Sequence, residues 1–165
     1  MAVFSFDVES EYDKAEMNNV VDQAQREIAN RYDFKNTNAG LDWKNADKTV
    51  LLVTGDTQFQ IDSIIDIIRK KLALRGQSQK CIDISAEPTT NNLKMSMPIP
   101  LVRGLDQAKA KTITSCVREK YPKTKTQTQG EAVRVMSPKK DELQLVINLL
   151  KSHDFDFPII FTNYR

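Results

Sequence analysis

Apolar and polar positions fall along this chain in short alternating runs and longer helical stripes. Phe4, Phe6 and Val8 alternate with Ser5, Asp7 and Glu9, which predicts a strand with one apolar face. Met17, Val20, Val21, Ala24 and Ile28 then recur at helical spacing, with Ser10 and Asp13 ahead of them as a variant of the capping box. Leu41 and Trp43, a turn over 45–48 and an apolar return over 49–54 predict a hairpin. Ile61, Ile64, Ile65, Ile68 and Leu72 form the next stripe, capped by Asp56 or Thr57 and closed by Arg69, Lys70, Lys71, Arg75 and Gly76. Cys81, Ile82 and Ile84 predict a closing strand, and residues 86–92, with Pro88 among them, read as a linker.

From residue 93 the pattern starts again. Leu93, Met95, Met97 and Ile99 alternate with Lys94, Ser96, Pro98 and Pro100. Proline cannot donate to a ladder, so this strand is expected at an edge, irregular, or paired only along its first half. A weaker helix over 104–120 turns Ala110, Ile113 and Val117 inward and stops at Tyr121-Pro122. After a hairpin, Ser137-Pro138 opens a helix with Leu143, Val146, Ile147 and Leu150 on one stripe, and Phe157, Ile159 and Phe161 alternate into a last strand. Strand, helix, strand, strand, helix, strand thus occurs twice. That order predicts an α+β chain of two ferredoxin-like (βαββαβ) units, 1–85 and 93–165, each an antiparallel sheet with helices on one face.

The hairpin of the second unit is the most informative stretch. With Gly130 and Glu131 as the central residues of a tight turn, Gln129 pairs with Ala132, Thr128 with Val133, Gln127 with Arg134 and Thr126 with Val135. Alternation then puts Thr126, Thr128, Val133 and Val135 on the core side, and Lys125, Gln127, Gln129 and Arg134 together on the other. An arginine fork suits phosphate or guanine edges, and a glutamine amide both donates and accepts. The plain structural reading is a solvated sheet face.

Composition narrows the function classes. With 40% hydrophobic and 28% charged residues the chain is expected to fold as a soluble protein, without a membrane span or signal peptide, and the default location is cytoplasmic. The net charge of +2 is unevenly spread. Residues 1–85 carry 11 Lys/Arg against 14 Asp/Glu, and residues 86–165 carry 13 against 8, a mild pointer to an anionic partner on the second half. One histidine, His153, and two isolated cysteines, Cys81 and Cys116, give no metal-ligand or nucleophile spacing. No phosphate-binding loop or dinucleotide glycine fingerprint is present, so no enzyme chemistry and no cofactor are expected. Arg103 and Asp106 form an Arg-x-x-Asp spacing, a pattern that also arises often by chance.

Several stretches resemble one known family. Ser5-Phe6-Asp7-Val8, Arg31-Tyr32-Asp33-Phe34-Lys35, Phe59-Gln60, Gln127-Thr128-Gln129-Gly130, Val133-Arg134-Val135, residues 139–144 and the final Phe161-Thr162-Asn163-Tyr164-Arg165 resemble the YajQ family of bacterial proteins, in order and over nearly the whole chain. The resemblance implies that the first strands of the two units are exchanged, with residues 3–8 joining the second unit. It also implies a cytosolic, non-enzymatic protein that binds a nucleotide or RNA, some members being cyclic di-GMP effectors that act through protein partners. Lys125, Gln127, Gln129 and Arg134 are the first candidate contacts, and Arg31, Phe34 and Lys35 a second set. If the strands are exchanged, an Asp7 to Arg134 ion pair is the plain structural alternative for both residues. Two rival readings remain, an RNA-binding protein using polar sheet faces and a protein–protein adaptor. Pro98, Pro100 and the segment 156–161 depart from the family pattern and bear on ligand identity.

Overall fold

The computed structural model describes residues 3–165. It contains two four-stranded antiparallel sheets and four α-helices, two ferredoxin-like units in an α+β chain. The units are not contiguous in sequence. One runs from Tyr12 to Val102, here the middle unit; the other joins the residues up to Glu11 to Arg103–Arg165, here the outer unit.

In the outer unit β1 (Phe4–Glu9) lies inside the sheet. It pairs with β7 (Ala132–Ser137) on one side and β8 (Ile160–Thr162) on the other, and β6 (Lys125–Gln129) forms the far edge beyond β7. The order β6-β7-β1-β8 is the ferredoxin-like one with β1 as first strand. In the middle unit β2 (Gly40–Trp43), β3 (Val50–Gly55), β5 (Lys94–Pro100) and β4 (Thr89–Asn91) repeat it in the order β2-β3-β5-β4. Here β5 takes the place β1 has in the other sheet. The first strands are exchanged, and each pairs with the hairpin of the other repeat.

Each sheet keeps its apolar face because side chains alternate across it. Leu51, Val53, Met97 and Ile99 are buried under the helical stripes of α1 (Lys14–Asn30) and α2 (Gln58–Leu74). Phe6, Val8, Val133 and Val135 are buried on the side of α3 (Gln107–Lys120) and α4 (Lys140–Ser152), which supply Ile113, Val117, Val146 and Leu150.

Several local expectations change. Asp13, not Ser10, caps α1, accepting from the Glu16 N–H at 3.1 Å, because the helix begins at Lys14. Lys139 stands at the start of α4, two residues later than the predicted Ser137 cap, and the Ser137 hydroxyl accepts from the Lys139 N–H at 3.1 Å. Cys81 ends a short 3-10 turn, and Ile82 forms only an isolated bridge to Leu101; no closing strand forms there. The fourth strand is β4, inside the stretch 86–92 read as a linker, and a two-residue turn at Asn92 and Leu93 joins it to β5.

β5 itself is central, although it carries both prolines. The Leu101 N–H donates to Thr49 at 2.9 Å, so alternation directs the Met97 and Ile99 N–H groups toward β3 and the Pro98 and Pro100 nitrogens to the other side. There β4 pairs only as far as Ser96. The missing donors fall where no strand needs them, and the Pro100 carbonyl still accepts from Asp83 at 2.9 Å.

Candidate nucleotide-binding face

The hairpin has the register that its turn dictates. Gln129 stands opposite Ala132, Thr128 opposite Val133, Gln127 opposite Arg134 and Thr126 opposite Val135, with Gly130 at φ +59°. β1 extends each row across the sheet. Asp7 lies between Arg134 and Thr162, Ser5 opposite Met136, and Glu9 between Ala132 and Ile160. The face turned away from α3 and α4 therefore presents three rows, of which the central one reads Gln127, Arg134, Asp7, Thr162.

Asp7 organises the centre. Arg134 donates to it through Nε at 3.0 Å and Nη2 at 3.5 Å, and Asn163 donates its amide at 2.9 Å. Asp7 is only 5% exposed, so the pair is not the fully exposed one that two polar strand residues suggest. The hydrogen bond from Arg134 holds the Asp7 carboxyl below the usual carboxylate range. Burial pushes the other way, and Asn163 and the charges of Arg134 and Arg165 add to the lowering. Asp7 in turn raises the Arg134 guanidinium above its ordinary value.

Around this pair the other candidates are open. Lys125, Gln127 and Gln129 are exposed and, among the described residues, their side chains have no hydrogen-bond or ion-pair partner. Thr162 donates to Glu9 at 2.7 Å, which occupies the second carboxylate of the face. Arg165 is a residue that sequence reasoning missed. Two backbone bonds with Ser5, at 3.1 and 2.9 Å, bring it beside β1, and its charge is felt at Asp7. Only the exchanged register of β1 could have revealed it, because nothing local marks Arg165.

The second candidate set lies in the middle unit. Arg31 follows α1 and forks onto Asp33, Nε at 3.0 Å and Nη2 at 2.8 Å, with its guanidinium 4.5 Å from the centre of the Phe34 ring. Phe34 is 5% exposed and belongs to the core, so its ring faces the apolar interior with Arg31 stacked on it. Lys35 sits 5.8 Å from the Tyr32 ring centre. The helix-averted face of the middle sheet carries Asp42, Leu52, Thr54, Pro98 and the pair Ser96 and Thr89, and among the described residues its one cation beside an amide is Lys94 opposite Asn91 at the end of the β4–β5 hairpin. The Arg-x-x-Asp spacing dissolves into structure. Arg103 pairs with Glu11 at 3.0 Å, and Asp106 caps α3 by accepting from the Lys109 N–H at 2.8 Å.

Among the described residues there is no cluster of three or more metal-ligating side chains, and no helix is long and apolar enough to cross a membrane. A family model described as "Nucleotide-binding protein YajQ-like" matches residues 4–165. The chain belongs to the YajQ-like family. It is 38% identical over 164 residues to a protein of Chloroherpeton thalassium named nucleotide-binding protein, covering 99% of each chain. A protein of the same name from Nocardia farcinica is 40% identical over 166 residues and covers 100% of both, and one from Thermobifida fusca is 37% identical over 162 residues, 98% of this chain and 97% of the relative. The matched spans cover both units.

Proposed function

We propose that this protein binds a nucleotide without transforming it, on the outer-unit sheet, with Lys125, Gln127, Gln129 and Arg134 as contacts. One observation carries the reading: three unpartnered side chains, a cation and two amides, stand in register beside an arginine on one sheet face. The amides match base edges and the cations match phosphate. Relatives along the whole chain are named nucleotide-binding proteins, which supports the ligand class. Within that class cyclic di-GMP is the ligand proposed first, because a dinucleotide offers two guanine edges and two phosphates to a face that combines two amides with two cations. The protein then acts as an effector through a protein partner, since the site holds no acid–base or nucleophilic set.

Isothermal titration with cyclic di-GMP, GTP, ATP and a short single-stranded RNA, each at two salt concentrations, tests this. Saturable binding of one nucleotide, weakened in Gln127→Ala and Arg134→Ala and unchanged in Arg31→Ala, supports the reading and confines it to the outer unit. RNA affinity that falls steeply with salt, reporting several phosphates, replaces it with a polyanion surface. Silence from every ligand overturns it in favour of an adaptor.

A further inference from the structure

A cleft lies between β1, α4 and residues 164–165, away from the proposed nucleotide contacts. Its volume of about 280 Å³ is lined by Phe4, Phe6, Lys140, Leu143, Ile147 and Tyr164, with Gln144, Ser5 and Arg165 at its border. Lys140, Leu143, Gln144 and Ile147 recur at three and four residues, so one face of α4 runs from a cation to an apolar floor. Leu143 and Ile147 are buried, whereas Lys140 and Gln144 stand exposed at the rim. Tyr164 leaves 64% of its surface exposed, with its ring tilted 31° to Phe6 at 6.3 Å between centres.

The charge at the rim is open. Among the described residues Lys140 has no ion pair. The acids of the same turn do not line the cleft, and Glu142 is taken by the Thr124 hydroxyl.

We propose that this cleft is a binding site for a small planar aromatic carboxylate. The ring lies on Leu143 and Ile147 with Tyr164 as its lip, and the carboxylate meets Lys140, with Arg165 as the second cation of the cleft. The volume falls just below the usual range for drug-sized ligands, which suits one or two rings and excludes a dinucleotide. This site shares none of Lys125, Gln127, Gln129 and Arg134 with the nucleotide reading, although Arg165, whose charge reaches Asp7, also borders it.

Titration of the full chain with cinnamate, and with cinnamyl alcohol as the uncharged counterpart, tests it by amide chemical shifts. Cinnamate is expected to saturate with a dissociation constant of about 1 mM and to bind about threefold more tightly than the alcohol. Lys140→Met should reduce that preference, Lys140→Met with Arg165→Met should remove it and leave the alcohol unaffected, Tyr164→Ala should weaken both about fivefold, and Arg134→Ala should change neither. No saturation by about 10 mM cinnamate, a preference that survives the double variant, or loss of binding in Arg134→Ala would overturn the proposal.

Discussion

Asp7 is the residue on which the polar face turns, because it neutralises the arginine that a phosphate would also seek. An anionic ligand at Arg134 must meet the Asp7 charge a few ångströms away. Asp7→Asn keeps an oxygen to accept from the guanidinium and removes that charge, so affinity for an anionic nucleotide should rise by a factor on the order of 5 at low salt. Unchanged or weaker binding in titration would mean that Asp7 acts by orienting Arg134. The same residue contributes to stability in acid. Its folded value lies below the ordinary carboxylate value of about 3.9, so its contribution is complete above that pH and is lost as pH falls through the folded value. Thermal melts from about pH 5 down to about pH 2.5 should therefore show any stability advantage over Asp7→Asn shrinking with acidity. Arg134 and its hairpin neighbours were legible in the sequence because a Gly-first turn fixes a local register. Asp7 could be joined to them only through the family resemblance, since its partners stand 127 and 156 residues away.

At the scale of elements, two backbone features decide what can be changed. Gly130 at φ +59° lies where a side chain costs about 1–2 kcal/mol, so Gly130→Ala should lower stability by about that much and Gly130→Asn by less. Chemical denaturation measures both, and equal values would mean the turn tolerates a Cβ without strain. β5 gives a sharper contrast. Pro98→Ala should stay within about 0.5 kcal/mol of the parent, because its nitrogen faces the side where β4 has ended. Met97→Pro should cost about 3 kcal/mol or more, since that nitrogen faces β3 and the side chain is buried. Similar costs for both would place the hydrogen-bonding side of β5 the other way round. Helical stripes and the polar hairpin could be read from the chain because 3.6- and 2-residue periods are local. β4 could not, since Thr89, Thr90 and Asn91 are all exposed and leave no apolar alternation. The apolar character that predicts a closing strand at Cys81 and Ile82 comes instead from burial beside a 3-10 turn, without ladder pairing.

For the whole molecule the exchange of β1 and β5 determines which pieces of the chain hold a complete sheet. A pattern that repeats strand, helix, strand, strand, helix, strand invites a cut between the repeats, yet a piece ending at residue 85 keeps β2 and β3 and loses both β5 and β4. It would carry β1 with no partner, since β7 and β8 lie beyond the cut, and would leave Leu51 and Val53 without the Met97 and Ile99 that flank them in the sheet. Losing those buried side chains costs several kcal/mol, comparable with the stability of a small domain. Residues 12–102, in contrast, contain β2, β3, β4 and β5, both helices that cover them, and a closed core from Tyr12 to Ile99. Expressed alone, 12–102 should therefore unfold cooperatively and give dispersed amide spectra, whereas 1–85 should be unfolded or aggregated through its unpaired edges. A folded 1–85 would require β1 to take the place of β5 beside β3. The apolar alternation of Phe4, Phe6 and Val8 matches that of Met95, Met97 and Ile99 well enough for the comparison to be a real contest. What favours β5 in that place is continuity: a two-residue turn brings it straight out of β4, inside the same unit, while β1 continues through Ser10 into the Gly104 contact of the outer unit, where the Gly104 N–H donates to Ser10 at 2.7 Å.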